Sequence, residues 1–163
     1  MNGFRILEEE DGQAWYEVLH EGYSPLKDYP ITFGAIHASK ETALAWFSAH
    51  PAYGFFENGR LASSISLRMP WGSLPGPKKV PHIGWFVTHP DFQGHGYGKK
   101  LLHELEKNVL TKELKTPSVT LGTAKEHPWL VSMYVGMGFV PFDTVQLEGK
   151  QHHTVYMEKV FSK

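Results

Sequence analysis

Three patterns follow one another directly between residues 83 and 102: an apolar run, a glycine-rich loop and the start of an amphipathic helix. Residues 83–87 are continuously apolar, as expected for a strand buried on both faces. Glycine then occupies every second position from 94 to 98, and Leu101, Leu102, Leu105 and Val109 mark one face of a helix. The order predicts a strand–loop–helix unit of a protein that mixes strands and helices.

The glycine loop has the properties of a phosphate-binding site. Glycines permit positive φ angles and let a ligand approach the backbone closely. The backbone N–H groups of residues 94–99 would then point at one spot beside the positive end of the helix dipole, which favours a pyrophosphate. Lys99 and Lys100 either add positive charge there or are ordinary solvated residues of the helix.

Two common phosphate-binding loops do not fit this spacing. A Walker loop has four residues between its glycines and then Lys-Ser/Thr, whereas three residues separate Gly94 from Gly98 and Lys99 is followed by a second lysine. A dinucleotide fingerprint would need glycine at position 99 or 101, where the chain has lysine and leucine. The loop therefore belongs to another class.

The pattern Gln93-x-x-Gly96-x-Gly98, between a Val-x-x-Pro strand end and a Leu-Leu helix, resembles the acetyl-CoA-binding motif of the GNAT superfamily of N-acetyltransferases. Residues 127–139 are similar to the second signature of that family, a helix that carries a tyrosine and closes with Gly-Phe before a strand. Together the two motifs cover roughly residues 80–145, in the family's order and spacing.

The remaining pattern agrees with the mixed fold that this resemblance implies. Predicted strands span residues 4–7, 53–57, 60–67, 83–87, 118–121, 140–147 and 154–161. Helices are predicted over 12–22, from the N-cap Ser39 to about 49, after Gly98 through the apolar face described above, and from about Pro128, in the first turn, to near 138. Asn58-Gly59 predicts a hairpin turn. Residues 23–38 are predicted to form an aromatic-rich loop and residues 69–81 a long functional or mobile loop.

Antiparallel hairpins at both ends and a strand–helix–strand–helix unit between them imply a parallel strand pair in the middle of the sheet. We therefore expect an α/β (mixed α+β) fold with a GNAT-like, mostly antiparallel sheet of six or seven strands and about four flanking helices. Residues 1–163 are expected to form one domain.

The resemblance also implies an activity: direct transfer of an acetyl group from acetyl-CoA to an amine, in a ternary complex without an acyl-enzyme. It implies that the backbone of Phe86 and Val87 hydrogen-bonds the pantetheine and polarises the thioester carbonyl. His127 stands where the family has an asparagine and is expected near the cofactor. The pyrophosphate would be held by Gln93, Gly94, His95, Gly96, Tyr97, Gly98 and Lys99.

By the same resemblance, Tyr134 would protonate the departing thiolate, which needs a positioned proton donor. Alternatively, Tyr134 packs in the core with its hydroxyl bonded. Many family members carry a glutamate base in the fourth strand, but no carboxylate occurs between residues 58 and 90. A water chain, His82, a residue of a substrate loop, or an amine that arrives neutral would replace it. His82 is otherwise an ordinary exposed histidine before the strand.

The acceptor site is expected between the loops at residues 23–38 and 146–153, with a contribution from residues 69–81. Tyr23, Tyr29 and Phe33 would wall a pocket for the acceptor or, alternatively, cover an edge of the core.

Composition excludes several other functions. The 163 residues include no cysteine, so disulfides, thiolate metal sites and a cysteine nucleophile are ruled out. The formal net charge of −1, without basic blocks, argues against a nucleic-acid partner. His152 and His153 are neighbours whose side chains point to opposite faces of a strand, so no shared metal is expected.

No run approaches the ~20 apolar residues of a membrane span, and residues 1–13 lack the apolar segment of a signal peptide. We expect a cytoplasmic enzyme that acts as a monomer or homodimer on acetyl-CoA and an amine acceptor, without metal, membrane or nucleic acid. The missing strand carboxylate leaves a non-catalytic CoA-binding sensor as the alternative, and a general nucleotide binder as a third.

Overall fold

One seven-stranded sheet forms the centre of the protein in the computed structural model, which describes residues 2–31 and 33–161. The strands are β1 (Gly3–Ile6), β2 (Ala52–Glu57), β3 (Arg60–Arg68), β4 (His82–Thr88), β5 (Ser118–Ala124), β6 (Val140–Val145) and β7 (Thr154–Val160). Their order in the sheet is β1-β2-β3-β4-β5-β7-β6. Every described pair is antiparallel except β4–β5. The expected mixed sheet with a central parallel pair is confirmed.

Helices cover both faces of this sheet. The α-helices are α1 (Gly12–Tyr23), α2 (Gly34–His37), α3 (Lys40–Ala49), α4 (Tyr97–Leu105) and α5 (Leu130–Gly136). Short 3-10 helices lie at Glu9–Asp11, Ser24–Asp28 and Pro90–Phe92, and a π-helical turn, Glu106–Leu110, extends α4. The sequence predicted about four helices, and the fifth is the short α2.

Two apolar clusters divide the molecule into two faces. On the α4 face, the leucines of α4 and Tyr134 of α5 pack against Ile65, Leu67 and their neighbours in the sheet. On the opposite α1 face, Trp15 and Leu19 of α1 pack against strand residues that include Val87. Apolar side chains at alternate strand positions supply both faces, as the period of a strand requires.

Local capping and turn signals were predicted correctly. The Ser39 hydroxyl accepts a hydrogen bond from the backbone N–H of Thr42, 3.1 Å away, and so caps α3. Asn58 and Gly59 have φ angles of +51° and +79°, which are the positive values that a tight hairpin between β2 and β3 needs.

The C-terminal end of α1 lies unusually close to β4. A Cβ atom built on Gly22 would lie 2.1 Å from Cγ2 of Val87 and 2.9 Å from the carbonyl oxygen of Thr88. Only glycine permits this contact. It brings Tyr23, the next residue, to the end of β4.

Two predicted boundaries are wrong. Residues 23–38 are not simply a loop, because they contain the 3-10 helix Ser24–Asp28 and the helix α2, held down by the buried side chains of Ile31 and Ile36; residue 32 of this segment lies outside the described residues. Helix α5 begins at Leu130, so Pro128 precedes it rather than forming its first turn. Trp129, between them, has the non-helical angles φ −139° and ψ 0°.

The long loop at residues 69–81 is confirmed, since it carries no helix or strand. It lies over the start of β4: a Cβ atom on Gly76 would be 2.7 Å from the ring of His82. The loop is tied to the sheet where Lys78 pairs with Glu158 of β7, at 2.6 Å.

Candidate active site

The sheet opens between its two parallel strands. β4 and β5 pair only through His82 with Thr120 and Ile83 with Leu121. Beyond that point β5 continues to pair with β7 as far as Ala124, and β4 with β3 as far as Thr88. The two strands therefore separate towards their C-terminal ends and leave an opening in the middle of the sheet. This opening lies beside the glycine loop.

A β-bulge shapes the β4 side of the opening. The register between β3 and β4 shifts between Ser64 and Ser66, so that Trp85 and Phe86 lie opposite the single residue Ile65. Trp85 has a φ of +47°, which is uncommon for a residue other than glycine. Such backbone strain persists only where the surrounding packing enforces it.

The packing that enforces it is a stack of indole rings on the α1 face. The ring of Trp85 stacks on Trp46 of α3 at 4.3 Å between centroids and on Trp15 of α1 at 6.0 Å. Trp15 is fully buried. Helices α1 and α3 thereby fix the bulge and the direction of the backbone groups that follow it.

The bulge directs the backbone of Phe86 into the opening. His89 donates its N–H to the carbonyl of Ala62 in β3, and because backbone groups alternate along a strand, those of Val87 also face β3 while those of Phe86 face away. The Val87 carbonyl accepts a hydrogen bond from Ser63 Oγ at 2.9 Å, and the Phe86 carbonyl accepts one from the Tyr23 hydroxyl at 3.0 Å. Of the two predicted backbone contacts, Phe86 is the one that the geometry favours.

The glycine loop presents free amides at the N-terminus of α4. None of the backbone N–H groups of residues 94–99 donates a hydrogen bond to another described residue. Gly94 and Gly96 have φ angles of +82° and +78°, and a Cβ atom on either would meet no atom within 4 Å. Glycine is needed there for conformation, and the space above the loop is open. A group of unpaired amides at a helix N-terminus fits a diphosphate.

Gly98 has a different role in the same loop. A Cβ atom there would lie 3.4 Å from Oγ1 of Thr88 and 3.6 Å from Cζ of Phe86, so the absent side chain lets α4 approach β4. Lys99 is exposed, and the ammonium group of Lys100 lies 5.0 Å from the centre of the Tyr97 ring.

Side chains of the loop support it rather than reach the open space. Gln93 Nε2 donates to the carbonyl of Thr88 at 3.3 Å. The Tyr97 ring packs edge-on against Phe92 at 5.4 Å between centroids. His95 is exposed. Contacts from this loop to a ligand would therefore come mainly from its backbone.

Tyr134 lies on the α4 face of the opening with its hydroxyl group free. The side chain is 9% exposed, and its ring centroid lies 6.4 Å from Phe86 and 6.0 Å from Phe139. Its hydroxyl makes no hydrogen bond with any described residue, so the alternative of a core tyrosine with a bonded hydroxyl does not describe it. Burial raises the pKa of Tyr134, which keeps the hydroxyl protonated at neutral pH.

The three aromatic residues predicted for the acceptor site do not all come together. Tyr23 and Phe33 meet edge-to-face at 6.3 Å. Tyr23 packs against the apolar cluster of the α1 face, whereas Phe33 packs against that of the α4 face. Burial, with the nearby Tyr134, raises the pKa of Tyr23. Tyr29 instead packs against His127 at 4.8 Å.

His127 is a packing residue in this arrangement. It is 4% exposed, its ring lies 4.6 Å from that of Trp129, and its Nδ1 accepts the N–H of Trp129 at 3.3 Å. Burial lowers the pKa of His127. None of its described ring contacts or hydrogen bonds involves the glycine loop.

The expectation that His82 is exposed and precedes the strand is wrong. His82 is the first residue of β4 and only 4% exposed, and its Nδ1 lies 2.8 Å from Oγ1 of Thr120. Burial, with the nearby charge of Arg68, lowers the pKa of His82 to about 3. The ring is therefore neutral at pH 7 and does not take up a proton as a general base.

Trp85 and Ser63 belong to the site but were not predicted. A glycine inside a strand, here Gly84, is a known sign of a bulge, and it precedes Trp85 directly. That signal was available. Nothing in the sequence marks Ser63, whose role depends on the register between β3 and β4.

Three features define the site: the sheet opens between two parallel strands, backbone amides at the start of the following helix are unpaired among the described residues, and a protonated tyrosine lies across the opening. This combination is that of an enzyme that uses an acyl-CoA. Residues 12–139 match the model of the acetyltransferase (GNAT) family. The chain belongs to the GNAT family and is an acetyl-CoA-dependent N-acetyltransferase.

Two relatives from Bacillus subtilis (strain 168) align with almost the whole chain. An S-(2-succino)cysteine N-acetyltransferase is 43% identical over 156 residues, which is 96% of this chain and 94% of the relative. An S-alkylcysteine N-acetyltransferase is 33% identical over 147 residues, which is 90% of this chain and 83% of the relative.

Solved structures share the fold at low sequence identity. An acetyltransferase structure from Salmonella typhimurium with its cofactor acetyl-CoA matches with a TM-score of 0.73 at 18% identity, covering 100% of this chain and 95% of that one. The PaiA N-acetyltransferase from Thermoplasma acidophilum, in complex with coenzyme A, matches with a TM-score of 0.70 at 21% identity, covering 99% of both chains. In the described part of this chain, no cluster of three or more His, Asp or Glu side chains forms a metal site.

Proposed function

We propose that this acetyltransferase acetylates the α-amino group of an S-substituted cysteine. The observation that carries the proposal is the match to two relatives along most of their length, both named for a cysteine whose sulfur bears a substituent. What those two acceptors share is the amino-acid end, and what differs is the group on sulfur.

The backbone would hold acetyl-CoA. The free N–H groups of residues 94–99 bind the pyrophosphate, at the positive end of α4. The N–H of Phe86 faces the opening and donates to the thioester carbonyl oxygen, because the bulge at Trp85 turns it away from β3. The backbone of Val87 contributes less to this site, since its carbonyl is bonded to Ser63. His127 supports the site through packing.

Acetyl-CoA supplies a thioester whose carbonyl carbon accepts the amine. The new C–N bond forms as the C–S bond breaks, the nitrogen loses one proton, and the sulfur gains one. Tyr134 donates that proton to sulfur, since its hydroxyl is protonated at neutral pH and has no hydrogen-bond partner among the described residues. His82 does not accept the amine's proton, so the amine reaches the site neutral or loses its proton to water or to a residue of a substrate loop.

The acceptor enters from the α1 face. Tyr134 and helix α4 lie on the α4 face, so the thiol and the pyrophosphate lie there as well. An amine attacks the carbonyl carbon from above or below the plane of the thioester, so it comes from the face that Tyr134 and α4 do not occupy. Tyr23 lies on that face, its ring is met edge-on by Phe33, and the two rings form the aromatic wall of the acceptor site. Tyr29 lies outside this wall, beside His127.

Thiol release tests the proposal directly, because the protein has no cysteine and a thiol reagent therefore detects only free CoA. We expect S-(2-succino)cysteine or S-methylcysteine to give a kcat/KM at least about tenfold above that of alanine or spermidine. N-acetyl-S-methylcysteine, whose amine is blocked, is the matched negative control. A higher kcat/KM with spermidine would contradict the proposed acceptor. CoA binding without thiol release from any amine would favour the non-catalytic sensor, the alternative that the missing strand carboxylate supports.

We also propose that residues 1–163 work as one domain in the cytoplasm, as a monomer or homodimer. Acetyl-CoA is an intracellular metabolite, which supports this location. In the described part of the chain, no helix has the length and apolar character to cross a membrane. The nearly balanced net charge of −1 argues against nucleic acid as a partner.

A further inference from the structure

Arg68, the last residue of β3, is a partly buried cation that has no acidic partner among the described residues. Its Nε donates to the carbonyl of Leu74 at 2.9 Å and its Nη2 to that of Pro75 at 3.4 Å, both in the loop over the start of β4. None of the ion pairs among the described residues includes it. Burial lowers the pKa of Arg68. Burying a guanidinium group without a carboxylate partner lowers the stability of a folded protein. Such a group is therefore expected where its charge has a function.

Arg68 lies on the α1 face, the side from which the acceptor enters. It pairs with His82 across the β3–β4 ladder, and its Cδ lies 3.9 Å from the position that a Cβ of Gly84 would occupy. Gly84 precedes Phe86 by two residues, which corresponds to roughly 7 Å along a strand. The side chain of Arg68 therefore lies beside a position that is at most roughly 7 Å from Phe86, whose backbone N–H faces the opening. A small acceptor is long enough to span this distance.

Two other donors without partners lie beside Gly84. Ser66, the partner of Gly84 in the ladder, is fully buried, and its Oγ has no hydrogen-bond partner among the described residues. The Trp46 ring lies 3.2 Å from the Cβ position of Gly84, and its Nε1 is likewise buried and unpaired in the described structure. A guanidinium group, a hydroxyl group and an indole N–H, from Arg68, Ser66 and Trp46, therefore lie near Gly84. No carboxylate among the described residues accepts a hydrogen bond from any of them.

We infer that Arg68 is the centre of an anion subsite that binds a carboxylate on the sulfur substituent of the acceptor. Guanidinium groups bind carboxylates through two parallel hydrogen bonds, and a succinyl group carries two carboxylates whereas an alkyl group carries none. In S-(2-succino)cysteine these carboxylates lie five or six bonds from the amine. The α-carboxylate is only two bonds away and stays near Phe86. The inference rests on the proposed acceptor class. Within that class, Arg68 would favour acceptors with a carboxylate on the sulfur substituent over S-alkylcysteines.

The test compares two acceptors in three variants. Arg68→Gln removes the positive charge, and Arg68→Lys keeps the charge but not the paired N–H donors of a guanidinium group. Arg60→Gln is the control, because Arg60 lies at the other end of β3 and pairs with the exposed Asp91. The readout is kcat/KM for S-(2-succino)cysteine divided by kcat/KM for S-methylcysteine. Calorimetric affinity for CoA and the melting temperature report whether each variant is folded.

We expect Arg68→Gln to lower this ratio about 10- to 100-fold, through KM for the succinyl compound, as for loss of a hydrogen bond to a charged group. Arg68→Lys should recover part of the ratio, and Arg60→Gln should leave it unchanged. An equal loss for both acceptors in a folded variant, or no loss for either, would overturn the inference while the proposed acceptor class stands. Failure of the unsubstituted enzyme to acetylate either compound would overturn both.

Discussion

His82 links the stability of this fold to pH. Its ring is buried at the start of β4, where it hydrogen-bonds Thr120 and lies near Arg68, under the loop that contains Gly76. Protonation would put a charge on a ring that is only 4% exposed and lies near the cationic Arg68. Burial, helped by Arg68, accordingly lowers the pKa of His82 to about 3.

The direction of the effect follows from linkage between protonation and folding. In the unfolded chain a histidine has a pKa near 6.5, so between pH 6.5 and pH 3 the unfolded state binds more protons than the native state. The stabilising contribution is complete above pH 6.5 and is lost as the pH falls towards 3. At 1.36 kcal/mol per pKa unit, the low pKa of His82 alone lowers the free energy of unfolding by about 2 kcal/mol between pH 7 and pH 5, and by about 4 kcal/mol by pH 3. Against a typical total of about 5–15 kcal/mol, this is a large loss.

The measurement is urea unfolding followed by tryptophan fluorescence at pH 7 and pH 5. In His82→Gln, the loss of unfolding free energy between these two pH values should be about 2 kcal/mol smaller than in the unsubstituted protein. The comparison uses the pH-dependent difference, so any constant destabilisation by the substitution cancels. His20→Gln, on the exposed side of α1, is the matched control and should leave the difference unchanged.

Other histidines lower the stability of His82→Gln and of the unsubstituted protein at acid pH by equal amounts, so their contributions cancel in the comparison. Burial lowers the pKa of His50, His127 and His152 as well, so some loss of stability at pH 5 persists in His82→Gln. If His82→Gln loses as much stability as the unsubstituted protein, with equal m-values, then His82 either protonates in the folded state or is accessible to water. Either result would refute the burial that lowers the pKa of His82.

Gly96→Val should reduce CoA affinity at least about 100-fold by calorimetry while the protein stays folded, since φ is +78° but no atom crowds the position and the expected cost in stability is about 1–3 kcal/mol. Gly136→Ala, where a Cβ also meets no atom within 4 Å, is its control, and unchanged affinity in Gly96→Val would count against the pyrophosphate loop. Tyr134→Phe should lower kcat about 100-fold with little change in acetyl-CoA affinity, as expected for loss of a general acid. Tyr16→Phe on α1 serves as the control, and a full rate in Tyr134→Phe would make Tyr134 a packing residue only.

The parts of the fold that depend on neighbouring residues were predictable from the sequence. The hairpin at Asn58-Gly59, the Ser39 cap and the glycine loop before α4 all follow from short patterns with local physical causes. Boundaries failed where packing overrode such patterns. Ile31 and Ile36 are buried by contacts with distant parts of the chain, so a segment that reads as an irregular loop contains two short helices.

The chemistry of the site divides along the same line. The amides of residues 94–99 could be predicted because a glycine pattern fixes backbone direction locally. The direction of the Phe86 N–H could not, because it depends on a positive φ at Trp85 that two tryptophans from separate helices hold in place. Arg68 was overlooked for a related reason. An arginine at the end of a strand is common, and its sequence neighbours do not show whether an acidic side chain pairs with it. That Arg68 has no acidic partner among the described residues follows only from the packing of distant segments around it.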